Sequence, residues 1–272
     1  MLENRKREIR REAYSFREQC KVNRFGIIDL FKDCERLGYK LIRYPLGENA
    51  DLGLVLIKDN DKIIFINTCS RLSREIFTLA HEIGHIILHI NGEQSFIDNQ
   101  TTISDWNKDE KEQEANYFAA CLLMPKDEVK RFIDLELPDF EKAGLSAMDI
   151  ARIMSEFNVS YEMALNRLES LGIIDGDQKI RLDTERMERS VGNLLKSIGG
   201  NARLNIAGKE IDLPFEYIDY AIYNYAQNAI PKETLEKVLA YYHLSIDDVS
   251  DKLPIHTRSK EDLDELIGGL ED

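Results

Sequence analysis

The chain has 272 residues, 43% hydrophobic and 32% charged, which fits a soluble globular protein with a real core. A length beyond one average domain predicts a catalytic domain followed by smaller C-terminal modules. The net charge of −14, from 36 basic and 50 acidic residues, repels phosphate, so nucleic-acid binding would need a local basic patch. No apolar run approaches the ~20 residues of a membrane span, and Met1 to Arg7 lacks an apolar signal core; a cytoplasmic protein with no membrane contact is expected. Cys20, Cys34, Cys69 and Cys121 are scattered without a C-x-x-C pair, which argues against a thiolate zinc site or a disulfide framework.

In chain order, residues 3–20 read as a charged amphipathic helix, and Phe25 to Leu37 as a second one stopped by Gly38. Tyr39 to Tyr44 reads as a strand ended by Pro45 and Gly47. Leu52–Ile57 and Ile63–Ile66 are β-branched runs around the turn-rich Lys58-Asp59-Asn60-Asp61, predicting a hairpin and hence a small antiparallel sheet. Ser73 is a candidate N-cap and Asn91-Gly92 a stop, bounding a helix that carries His81 and His85. A polar stretch with weak β character follows over Gly92–Asp105. Lys108–Met124 reads as a helix stopped by Pro125, with Ala115, Phe118, Ala119, Leu122 and Leu123 on one face. Met148–Phe157 and Tyr161–Leu171, joined by Asn158-Val159-Ser160, form a helix-turn-helix-like pattern. Beyond it come a helix near Asp183–Ile198, a break at Gly199-Gly200-Asn201 and a hairpin around Gly208. Helices near Glu216–Asn228 and Lys232–Tyr242 and an amphipathic acidic end over Lys260–Leu270 complete the chain. The predicted organisation is residues 1–136 as the catalytic domain, 137–174 as the helix-turn-helix-like segment and 175–272 as a mostly helical C-terminal domain.

The most informative stretch is His81-Glu82-Ile83-Gly84-His85. Imidazoles four residues apart lie about 40° apart on a helix of ~3.6 residues per turn, so both can reach one Zn²⁺. Glu82 then flanks the metal, where it can take a proton from a bound water. A catalytic zinc needs a third protein ligand. The acidic candidates downstream are Asp98, Asp105, Asp109, Glu110, Glu112 and Glu114. At ~100° per residue, Glu112 shares the core-facing side of its helix with Ala115, Asn116, Ala119 and Leu123, whereas Glu110 and Glu114 fall on the side expected to be solvated. A carboxylate on a buried face needs a partner, and a metal is one, so Glu112 is the predicted third ligand. His89 extends the His81/His85 face but stands ~12 Å along the axis from His81 and cannot share the ion. It and Asn116 are candidates for orienting the ligands from behind. The ligand set also admits Mn²⁺ or Fe²⁺. Gly84 beside the ligands suggests a close backbone approach.

The stretch from Arg74 to His85 and the stretch Glu112-Gln113-Glu114-Ala115-Asn116-Tyr117-Phe118-Ala119-Ala120-Cys121-Leu122-Leu123-Met124-Pro125 resemble the ImmA/IrrE metallopeptidases. The likeness covers about the first half of the chain. It implies His81, His85 and Glu112 as zinc ligands and Glu82 as the base. It further implies an α+β, zincin-like (thermolysin-like) protease domain followed by a helix-turn-helix segment. The substrates it implies are helix-turn-helix repressors, cleaved to derepress a mobile element or a stress regulon. Two other readings compete. One is a DNA-binding regulator using residues 148–171; against it, Glu162 and Glu169 outnumber Arg167 on the second helix, so direct DNA binding is not expected. The other is a protein-interaction module after Ile173, where 12 basic face 20 acidic residues and an acidic surface can dock a basic repressor face.

Overall fold

The structure, a computed structural model, describes residues 1–58, 61–90, 110–138, 140 and 144–253. It is a mixed α+β fold, mostly helical, with one three-stranded sheet. The chain forms two compact units, Met1–Asp212 and Leu213–Asp272. The division lies later than the 174/175 boundary read from the sequence, because the helices following Gly172 pack into the first unit's core through Leu182, Leu194, Leu195 and Leu204.

In the first unit, helix α1 (Glu3–Arg17) is followed by α2 (Leu30–Arg36) and by strands β1 (Tyr39–Tyr44), β2 (Gly53–Lys58) and β3 (Asp61–Asn67). The helix expected from Phe25 starts only at Leu30, where Asp29 caps it by accepting from the Lys32 amide at 3.1 Å. Residues before it form a tight loop instead; Gly26 permits this, since a Cβ there would lie 1.9 Å from the Glu156 carbonyl oxygen. The predicted β2–β3 hairpin is present, but the sheet is mixed rather than antiparallel: β3 is central, antiparallel to β2 and parallel to β1.

The long helix α3 (Leu72–His89) packs against β2, β3 and α2, and against α4 (Glu110–Leu123). Covered on all these sides, it buries Ile76, Leu79, Ala80, Ile83 and Ile86. Ser73 does not cap it; Ser73 is buried in the first turn, and the Leu72 amide donates to the Ile206 carbonyl at 3.2 Å. Residues 206–212, where a hairpin around Gly208 is predicted, form no strand; they bridge instead to Arg71 and Arg43. Buried Arg43 ties β1 to α3 through Glu75 at 2.8 Å. The asparagine-glycine stop at 91–92, the 92–105 stretch, the start of α4 at Lys108 and the 260–270 end lie outside the described residues.

After α4, Pro125 ends one helix, as its sequence predicts, and opens another, α5 (Lys126–Glu136), where no element is predicted. The helix pair α6 (Ala147–Phe157) and α7 (Tyr161–Ser170) matches the predicted one. Ser146 makes a capping box with Asp149, Asn158 closes α6 at φ 55°, and Ser160 caps α7. The helix expected near 183–198 is two, α8 (Gly176–Glu188) and α9 (Val191–Ser197). The second unit contains α10 (Glu216–Ala226) and α11 (Lys232–Tyr241) around a small core of Ile218, Ile222, Leu235 and Leu239.

Candidate metal centre

Helices α3 and α4 build the site together. A Cβ at Gly84 would lie 3.2 Å from the Ala115 Cα and 3.3 Å from its carbonyl oxygen, so the two helices touch backbone to backbone at the residue before His85. That contact sets Glu112, one turn ahead of Ala115, opposite the histidine pair.

The ligand atoms of His81, His85 and Glu112 all lie within 4.8 Å of one another. Nε2 of His81 and Nε2 of His85 are 2.9 Å apart, and the Glu112 carboxylate oxygens stand 3.2 and 3.0 Å from them. These separations approach the roughly 3.3 Å edge of a tetrahedron with 2.0–2.1 Å metal–ligand bonds. Two imidazoles and a carboxylate aimed at one point are a donor set that fits a divalent cation. Burial alone would raise the Glu112 carboxyl, but the His81 and His85 imidazoles beside it outweigh burial and hold the group well below the usual carboxylate range.

Behind the ring atoms, His81 Nδ1 is 3.0 Å from Asn116 Oδ1. Because that oxygen only accepts, His81 carries its proton on Nδ1 and leaves the Nε2 lone pair facing the centre. His89 does not reach the centre. Its Nδ1 is 3.2 Å from His85 Nδ1, and its Nε2 is 3.0 Å from Glu114 Oε2. Burial pushes the His89 imidazole down, with the Glu114 bond opposing.

Glu82 is buried, and Gly53, the first residue of β2, makes room for it. A Cβ at Gly53 would stand 2.8 Å from Glu82 Oε1 and 2.5 Å from Thr78 Cγ2. A glycine opening a β-branched strand was the only sequence signal for this role.

The structure corrects the placement of Glu114 on a solvated face. Glu114 is 7% exposed, and its carboxylate accepts from Arg5 Nε at 2.8 Å and Nη2 at 2.6 Å. The Arg5 bonds lower its carboxyl to about 2 against the opposing effect of burial. A helical wheel of α4 alone offers one buried face, but in the fold α4 is covered on two sides, by α3 and by α1. Of the other acidic candidates, Glu110 is exposed, and Asp98, Asp105 and Asp109 lie outside the described residues.

A cleft of about 1210 Å³ opens beside the centre. Asn116 and Gln113 of α4 line it, as does Phe77, whose ring centroid is 6.4 Å from that of His81. Its opposite wall includes Glu162, Met163 and Asn166 of α7. Burial pushes the Cys20 thiol up to about 12 and raises Cys34 and Cys121 as well, which keeps these three thiols protonated.

Comparison with curated proteins returns no match. A family model described as IrrE N-terminal-like domain, peptidase M78, matches residues 34–169, which is half of the chain and spans β1 through α7. The region matched contains the histidine pair, Glu82, Glu112 and the α6–α7 pair, and this protein belongs to the IrrE N-terminal-like peptidase family.

Proposed function

We propose that this protein is a zinc-dependent endopeptidase that cleaves a helix-turn-helix transcriptional repressor at a specific site, relieving repression of a mobile element or stress regulon. The observation that carries the reading is the convergence of His81, His85 and Glu112 on one point, with Glu82 seated against the start of β2. Family membership supports peptidase chemistry. Zinc suits a site of two histidines and one glutamate with a fourth position left for water.

His81, His85 and Glu112 would hold a zinc ion, which would supply polarisation of the scissile carbonyl and acidification of a water. Glu82 takes the proton from the attacking water and passes it to the leaving amine. His81 is kept in its ligating tautomer by Asn116. The substrate lies extended along the outer edge of β2. β3 is paired on both sides, which leaves an edge of the sheet to β2.

Of the two competing readings, DNA recognition by α7 has little support. Its Arg167 is buried and donates to the Met124 carbonyl at 2.9 Å, while Glu162 and Asn166 face the cleft. Helix α7 thus suits a wall of the substrate cleft better than a helix in a DNA groove. The acidic stretch after Ile173 suits docking of a repressor's basic face.

The test is to incubate the full chain with zinc and candidate helix-turn-helix repressors from the same genome. Cleavage into two defined fragments is expected, with loss of at least a hundredfold in Glu82→Gln. Absence of cleavage by the wild type, or undiminished cleavage by Glu82→Gln, would contradict the proposal.

A further inference from the structure

A buried carboxylate aimed away from the metal centre is costly to keep. Glu114 is such a group, two residues from Glu112 but on the far side of α4. Its oxygens do not join the His81, His85 and Glu112 cluster. Instead they hold two partners from two other helices, Arg5 of α1 and His89 of α3.

The hydrogen-bonding capacities of these groups order the protons along the chain. Arg5 can only donate, so both contacts to Glu114 run from the guanidinium to the carboxylate. Glu114, holding Arg5 at 2.6 and 2.8 Å, accepts in turn from His89, which places the His89 proton on Nε2. The Nδ1 of a neutral His89 is then an acceptor, and the atom 3.2 Å away is His85 Nδ1. His85 must therefore carry its proton on Nδ1, leaving the lone pair of Nε2 for the point it shares with His81 and Glu112. The donations converge on Glu114, from Arg5 on one side and from His85 through His89 on the other. The His85 imidazole, the His89 side chain and Glu114 are buried, and Arg5 is one-third exposed at the outer end.

We propose that Arg5, Glu114 and His89 form a relay that fixes the tautomer and ring orientation of His85, making the N-terminal helix part of the metal site. For His85 it does what Asn116 does for His81, by a longer route. The three are positioning residues, since none of them touches the metal point. The inference rests on the reading that His85 is a metal ligand, and it adds α1, which lies outside the family match at 34–169, to the working site.

Zinc affinity of the full-length protein, measured by competition with a chromophoric chelator, tests the relay without any need for substrate. Arg5→Met, Glu114→Gln and His89→Ala should each weaken zinc binding about 10–100-fold. The pair Arg5→Met with Glu114→Gln should weaken it no more than the worse single change, because both break one chain. His89→Asn should restore part of the affinity lost in His89→Ala, since the amide oxygen sits near the former Nδ1 and can accept from His85. Melting of the metal-free proteins separates the alternatives. A purely structural ion pair would lower the melting temperature of each variant and leave the affinity of the folded protein unchanged, which would overturn the relay. If Glu114→Gln does not fold, Arg5→Met, at the exposed end, decides the matter. Wild-type protein that takes up no zinc overturns the ligand reading and the relay together; wild-type binding with unchanged variants overturns the relay alone.

Discussion

Replacing Gly84 by valine perturbs the α3–α4 contact that brings Glu112 to the histidines. A Cβ at this position stands 3.2 Å from both the Ala115 Cα and Phe118 Cδ1, and 3.3 Å from the Ala115 carbonyl oxygen. Carbon atoms pack best at roughly 3.5–4.0 Å, so the first added carbon already asks for about half an ångström. The two γ carbons of valine ask for more, and Ala115 cannot yield because the atoms it presents are backbone. Overpacking of this kind costs about 1–3 kcal/mol, while valine in place of glycine returns a few tenths through helix propensity. The net loss corresponds to a fall in melting temperature of roughly 2–10 °C for a protein of this size. The larger effect is on geometry. Productive sites are held to within about 0.5 Å, and a parting of the helices by that much displaces Glu112 from His81 and His85. Zinc affinity should fall at least tenfold, with Gly84→Ala intermediate. Calorimetric titration with zinc and thermal melting of the metal-free protein read the two effects separately. A Gly84→Val protein that melts with the wild type and binds zinc within twofold of it would refute the claim that this contact sets the site.

Other changes separate the parts of the account. Gly53→Ala puts a Cβ 2.5 Å from Thr78 Cγ2 and 2.8 Å from Glu82 Oε1; repressor cleavage should drop about a hundredfold while zinc affinity stays within twofold, since the ligands face α4 instead. Equal losses of both would show that Gly53 supports the whole centre and not Glu82 in particular. Gly26→Ala places a Cβ 1.9 Å from the Glu156 carbonyl oxygen, a backbone atom, and should cost about 3 kcal/mol or more, seen as a fall of roughly 6–12 °C in melting temperature. An unchanged melting temperature there would mean that the loop before α2 repositions freely.

The histidine pair and Glu112 were legible in the sequence because helical spacing is a local property, and the structure brings their ligand atoms to one place. The β2–β3 hairpin and the α6–α7 pair were legible for the same reason: their turn and cap residues are contiguous with the elements they bound. What was not legible depends on partners distant in the chain. Glu114 reads as solvent-facing on a wheel of α4 alone, and only the packing of α1 more than a hundred residues earlier makes it buried. Ser73 has the right residue type for a cap, but the helix starts one residue before it, with Arg71 at the cap position and the Leu72 amide held by the distant Ile206 carbonyl. Parallel pairing of β1 with β3 left no local trace, because it joins strands separated in the chain by the whole of β2. Gly53 was overlooked since its role is defined by space left for Thr78 and Glu82, not by its own conformation.

The central claim is that His81, His85 and Glu112 hold a divalent metal on which Glu82 acts. Metal content of the purified full-length protein, measured by inductively coupled plasma mass spectrometry after zinc loading and desalting, tests it most directly. The account predicts one zinc per wild-type chain, one per Glu82→Gln chain, and a small fraction of that in His81→Ala and Glu112→Ala proteins that remain folded. Full zinc occupancy in folded His81→Ala or Glu112→Ala, or none in the wild type, would contradict it.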